Sequence, residues 1–156
     1  MTIQTIFWDV KDTLLYPQPF KSDDPAKAMG FDMILINWIR AHPHINHVII
    51  SNYLEDSVHQ LVTQARIKDC FSHISGINDT LKAKPDASQY EAIPTVLKSN
   101  TPRQLMIGDQ LSDMQFAQNI GIQGLLIHRA HHSDPSDGFI AIQHSSDVVR
   151  WLDAQC

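Results

Sequence analysis

Four separate places in this chain carry side chains suited to handling a phosphoryl group. Asp9 closes an apolar run from Ile3 and is followed by Lys11, Asp12, Thr13 and Leu14. Val48-Ile49-Ile50 runs into Ser51-Asn52, Lys84 stands before Pro85-Asp86, and Gln104-Leu105-Met106-Ile107 runs into Gly108-Asp109 with Asp113 four residues later. If the strands deliver Asp9, Asp109 and Asp113 to one crevice, three like charges meet there and need a cation or protons to coexist. Mg²⁺ fits that need, because it takes a few carboxylates and completes its shell with water and phosphate oxygens. Ser51 and Asn52 offer polar groups and backbone amides to a phosphate, and Lys84 offers a point charge to balance its oxygens. A carboxylate beside them can serve as a nucleophile.

Each of these groups has an ordinary explanation when taken alone. An aspartate at a strand end often caps a turn, Ser51-Asn52 can do the same, and a lysine before proline is commonly a solvated loop residue. The combination is more specific: Asp-x-x-Asp-Thr-Leu, apolar-Ser-Asn, Lys-Pro-Asp and Gly-Asp-x-x-x-Asp occur in this order, with the first and last following apolar strands.

The segments that must position these residues alternate between short β-rich and longer amphipathic runs. Strands are expected over 5–10, 47–51, 72–75, 104–107, 122–127 and 139–142, and helices over 25–41, 56–65, 87–99, 112–119 and 146–154. Such alternation predicts an α/β fold, a three-layer, doubly wound parallel sheet of Rossmann-like type, with ligands beyond the carboxyl ends of the strands. Asp24 and Pro25 mark the start of the first helix. Ala28, Phe31, Leu35, Trp38 and Ile39 form one apolar face, while Met29, Met33 and Ile36 form a second, to be covered by the 15–20 segment or by another copy of the chain. Pro94 should kink or split the 87–99 helix.

The 156 residues are 43% hydrophobic, which suits one domain spanning 1–156 with a single core. A net charge of −5 gives no basic footprint for nucleic acid. The absence of a leader-like start or a bilayer-length apolar run points to a cytoplasmic protein without a membrane partner. Cys70 and Cys156 are too few for a disulfide framework. The nine histidines, among them His42, His44, His47, His131 and His132, show no ligand spacing and read as loop residues. The 129–138 loop follows a strand end and is placed to touch substrate.

With these motifs in order, the chain resembles the haloacid dehalogenase superfamily of aspartate-nucleophile hydrolases, in its phosphatase form and without a cap domain. The resemblance implies that Asp9 attacks phosphorus to form an aspartyl-phosphate. It also implies that Asp9, Asp109 and the backbone carbonyl of Lys11 hold Mg²⁺ with Asp113 orienting them, and that Ser51, Asn52 and Lys84 bind the phosphoryl group. A capless site suits a phosphorylated small molecule or a phosphoprotein.

One departure stands out. Family phosphatases carry a second aspartate two residues after the nucleophile as general acid and base, and here that residue is Lys11. An ammonium has no lone pair to accept a proton, so Lys11 is expected to weaken turnover; it can reach between Asp9 and Asp109 in place of the metal's charge, or point outward and leave its carbonyl to Mg²⁺ in a slow enzyme. The competing reading is a pseudophosphatase that binds without turning over. A receiver-like phosphorylation switch is a distant third, because receivers place their acid pair at the first strand rather than late in the chain.

Overall fold

The computed structural model describes residues 2–16, 21–98, 103–128 and 139–156. Strands β1 (Thr5–Trp8), β2 (Asn46–Leu54), β3 (His73–Ile77), β4 (Gln104–Gly108), β5 (Gln123–Ile127) and β6 (Ile140–Ile142) form one sheet in the order β3-β2-β1-β4-β5-β6. Every pairing is parallel. The winding reverses at β1, which pairs with β2 on one side and β4 on the other, so a crevice forms beyond the ends of β1 and β4.

The strands read as continuous apolar runs because both faces of the sheet are covered. Ile6, Trp8, Ile49, Leu105 and Ile107 point to one face, packed under helices α1 (Pro25–Ala28), α2 (Met33–Ala41), α3 (Glu55–Gln64) and α6 (Ser145–Gln155). Phe7, Val48, Ile50 and Met106 point to the other face, against Phe116 and Ala117 of α5 (Leu111–Ile120) and beside Tyr90 of α4 (Ser88–Glu91). The three-layer, doubly wound architecture read from the sequence is therefore the one observed.

The expected 25–41 helix is two helices. Gly30 sits at φ 90, a left-handed conformation that ends α1, and Asp32 then caps α2 by accepting from the Leu35 N–H at 3.1 Å. The apolar pattern runs through the break, which is why the spacing alone suggests one helix. Its second face is largely used within the chain: Ile36 is fully buried, Met29 and Met33 pack on the same core, and Leu15 bridges to Phe31. Ile34 remains half exposed. Residues 17–20, the rest of the segment expected to cover this face, lie outside the described residues. The kink expected at Pro94 is observed as a division, with α4 before it and a 3₁₀ turn, Thr95–Leu97, after it. Between Leu14 and β2, the described residues hold α1 and α2 and no further domain. No helix of the described residues is long and apolar enough to cross a membrane.

Two of the histidines do structural work. His47 is buried in β2, where Nδ1 accepts from the Trp8 indole N–H at 3.1 Å and Nε2 meets the His42 carbonyl at 2.9 Å. His42 stacks on Trp38 with ring centroids 4.0 Å apart. Burial lowers the His47 pKa from 6.5 to about 4, the charges of His42 and His44 add to the shift, and only its bond to the His42 carbonyl opposes it. The unfolded chain therefore binds this proton below about pH 6.5 and the folded chain only below about 4, so stability falls as pH drops through that window. Wild type is expected to lose its stability advantage over His47→Gln by about 3 kcal/mol between pH 7 and pH 4 in urea unfolding. An advantage independent of pH would contradict this assignment.

Candidate active site

Two strand ends build the site. β1 ends at Trp8, and the Asp9 N–H donates to the Ile107 carbonyl of β4 at 3.0 Å, which holds Asp9 at the switch point. The chain then turns tightly. The Asp12 N–H donates to the Leu15 carbonyl, and the N–H groups of Thr13 and Leu15 both donate to the Val10 carbonyl. Asp12 adopts φ 59, a left-handed position that aspartate tolerates better than most residues. The Lys11 carbonyl takes no part in this set of bonds. On the neighbouring strand, Gly108 leads into Asp109, and a Cβ on Gly108 would overlap the Asp113 carboxylate. Glycine there is what lets Asp113 lie against the strand end.

Asp9, Asp109 and Asp113 offer carboxylate oxygens that all lie within 4.8 Å of one another. Thr13, fully buried, donates from its hydroxyl to Asp9 Oδ2 at 3.2 Å and lies 3.4 Å from Asp109 Oδ1. Asp113 accepts from the Gln110 backbone N–H at 3.1 Å, and Asp109 accepts from the Gln110 side-chain amide at 3.1 Å.

Lys84 sits under this cluster, only 4% exposed. Its Nζ lies 2.8 Å from Asp9 Oδ1, 2.7 Å from Asp113 Oδ1 and 2.7 Å from the Ile50 carbonyl. An ammonium has three N–H donors, and here all three are taken. Lys84, expected from the sequence to bind the phosphoryl group, thus spends its donors on the carboxylates and β2; its charge still acts across the cavity. Burial opposes that charge, but Asp113 and Asp9 outweigh it and hold the Lys84 pKa above the ordinary lysine value.

Burial, then Asp9 and Asp113, push the Asp109 carboxyl up to about 8. Burial likewise raises Asp113, against the pull of Lys84. Without a further cation the cluster thus retains a proton near neutral pH. This all-oxygen donor set, with more negative charge than Lys84 balances, fits a hard divalent cation.

A cavity of about 350 Å³ opens over the cluster, lined by Asp9, Asp109 and Asp113 together with Lys11, Ser51 and Tyr53. Ser51 is buried at the end of the apolar part of β2, and its Oγ accepts from the Tyr53 N–H at 3.0 Å, which leaves its own O–H to donate. Asn52 Oδ1 accepts from the Lys84 backbone N–H at 2.8 Å, so Asn52 also fixes the lysine loop. Gln89 braces this region from below, donating to the Ser51 carbonyl at 2.9 Å. A larger cavity, about 550 Å³, lies between Gly30–Ile34 and the start of α6, but it gathers none of the candidate residues.

Lys11 is exposed and lines the smaller cavity. Of the two placements left open for Lys11, between Asp9 and Asp109 or outward, the outward one is observed: its side chain forms no ion pair among the described residues. The turn fixed by Asp12 and Thr13 carries it to the rim, and Lys84 already supplies the buried positive charge. Sequence reasoning gave no role to Thr13, Gln110 or Tyr53. Thr13 stood within the first motif and was available to it; Tyr53 enters only because β2 continues past Ser51 to Leu54. The 129–138 loop lies outside the described residues.

Comparison with known proteins agrees with this geometry. Residues 31–127, more than half of the chain, match the haloacid dehalogenase-like hydrolase family model. The match includes Ser51, Lys84, Asp109 and Asp113, whereas Asp9 precedes it and is joined to them by the fold. No curated protein matches the sequence. Among solved structures, the HAD-hydrolase YfnB from Bacillus subtilis, determined with magnesium, superposes with a TM-score of 0.76 at 14% identity, covering 98% of this chain and 100% of that one. L-2-haloacid dehalogenase from Xanthobacter autotrophicus superposes with 0.76 at 12% identity, covering 99% and 100%. A haloacid dehalogenase-like family protein, SP0104 from Streptococcus pneumoniae, gives 0.73 at 17% identity, covering 96% and 98%. At these identities the superpositions establish the shared fold, and the family match carries the assignment: the chain belongs to the haloacid dehalogenase-like hydrolases.

Proposed function

We propose that this hydrolase is a phosphatase-type enzyme that cleaves a phosphomonoester through an aspartyl-phosphate on Asp9, with turnover limited by the lack of a general acid and base at Lys11. The observation that carries this reading is the convergence of Asp9, Asp109 and Asp113 within 4.8 Å under one cavity, with Lys84 buried beneath. A dehalogenase needs no such acidic cluster. Mg²⁺ would be held by Asp9, Asp109 and the Lys11 carbonyl, with Asp113 orienting them, and would supply charge neutralisation to the transferring group.

The steps asked of the chain's own residues are few. A carboxylate oxygen of Asp9 attacks phosphorus in line as the bond from phosphorus to the leaving oxygen breaks, and the departing alkoxide takes a proton from solvent. Water then cleaves the aspartyl-phosphate, releasing inorganic phosphate and restoring the Asp9 carboxylate. Ser51 donates to a phosphoryl oxygen, Asn52 fixes the lysine loop and adds a donor at the rim, and the Lys84 charge lowers the cost of the developing negative charge. Lys84 and Thr13 also hold Asp9 at a fixed angle, so positioning is prepaid in the fold. The substrate is a phosphorylated small molecule or a phosphoprotein segment that enters an uncapped crevice.

The test is phosphate release from p-nitrophenyl phosphate with Mg²⁺, with chelator, and in Asp9→Asn. Metal-dependent release that falls at least about 10³-fold in Asp9→Asn is expected, since removing the nucleophile leaves only binding and electrostatics. Release that survives Asp9→Asn would refute the mechanism. A parent that binds phosphate but never releases it from an ester would establish the pseudophosphatase alternative.

A further inference from the structure

The cavity over the acidic cluster has two positive groups with different fates. Lys84 is buried and fully committed to Asp9, Asp113 and the Ile50 carbonyl. Lys11 lines the same cavity from the rim, is exposed, and has no hydrogen-bond or ion-pair partner among the described residues. Around it the rim carries further donors. Tyr53 lines the cavity, with no hydrogen bond from its hydroxyl among the described residues, and Asn52 has its Oδ1 engaged by the Lys84 N–H, while its amide N–H groups make no hydrogen bond among the described residues. Carboxylates crowd the floor of the cavity, while the rim is rich in donors.

Resting on the phosphatase reading above, we propose that Lys11 is a specificity-determining residue that selects phosphomonoesters whose leaving group carries a second anion, a carboxylate or a further phosphate. On the phosphatase reading, the residue two after the nucleophile serves the departing group, and Lys11 at that position lines the cavity that holds Asp9. A flexible ammonium there makes a poor proton shuttle and a good anchor for a negative tail. Its partners in the same task are the Tyr53 hydroxyl and the Asn52 amide, both neutral donors that add direction without adding charge. Ground-state binding through the tail also offsets the absence of an acid by holding the ester in line with Asp9.

The test uses the native protein with Mg²⁺ and two phosphonates whose C–P bond cannot be hydrolysed, 3-phosphonopropionate and propylphosphonate, titrated by calorimetry beside inorganic phosphate. The two phosphonates differ by a carboxylate in place of a methyl group. 3-Phosphonopropionate is expected to bind about tenfold more tightly, a preference lost in Lys11→Met and largely kept in Lys11→Arg, as a charge-assisted bond at a half-solvated rim implies. Equal affinities in the native protein, or a preference that survives Lys11→Met, would overturn the assignment. If the phosphonates are not distinguished while p-nitrophenyl phosphate is still hydrolysed with Mg²⁺ and not by Asp9→Asn, the phosphatase reading stands and this inference falls. If that hydrolysis is absent, both fall.

Discussion

Lys11→Asp should raise the rate of phosphate release by about 10²–10⁴-fold, the usual worth of a positioned general acid and base. That range corresponds to roughly 3–5 kcal/mol of barrier. Lys11 lines the cavity beside Asp9 without an ion pair among the described residues, so its replacement breaks no structural bond there. A carboxylate placed at this rim would feel Asp9 and Asp109, and like charge raises its pKa toward the neutral range where an acid and base works best. The gain should be larger with an alkyl phosphate such as glycerol 3-phosphate than with p-nitrophenyl phosphate. An alkoxide needs a proton to leave, and nitrophenolate does not. Steady-state phosphate release from both esters, measured for the native chain and Lys11→Asp, checks this directly. Equal rates on both esters would mean that Lys11 is not what limits turnover. A gain confined to p-nitrophenyl phosphate would place the benefit in hydrolysis of the aspartyl-phosphate rather than in its formation.

What the sequence could convey about this site follows from how each residue reaches it. Asp9, Ser51, Asp109 and Asp113 end or follow apolar strands, so a parallel sheet brings them together wherever its strands fall in register. The order of strands needed only the switch point at β1, and the register places Trp8 beside Ile107 and Ile49. Orientation was less legible. Lys84 and Lys11 look alike in sequence, and which one is buried depends on the turn at Asp12 and on the Asn52 bond that pins the lysine loop. The break between α1 and α2 had its own signals, Gly30 as a stop and Asp32 as a new cap, but the apolar period across them pointed the other way. Tyr53 gave no signal, since its place depends on how far β2 extends.

Lys84→Met is the substitution expected to cost the most stability. The ammonium is shared by Asp9 and Asp113 at 2.8 and 2.7 Å, both largely out of water, and it also closes on the Ile50 carbonyl. A surface pair of this geometry would contribute little, because solvent screens it. Here the balance is different: removing one partner leaves two buried carboxylates facing Asp109 with no compensating charge, at a cost of about 3–5 kcal/mol. The loss falls where the ends of β1 and β2 meet the start of α5, so the lysine ties this edge of the sheet together as well as tuning its charge. Lys84→Met in urea unfolding should show a shifted midpoint with an unchanged slope, since the same surface is exposed on unfolding. A companion Lys84→Met, Asp113→Asn variant removes one negative charge along with the positive one and should recover part of the loss, as expected for groups coupled in one network. If the double variant is no better than the single one, the lost stability comes from packing around the lysine stem and not from the unpaired carboxylate. A shift below about 1 kcal/mol in the single variant would mean the carboxylates reach solvent or protons freely, and the buried triad would then not be what holds this edge of the sheet.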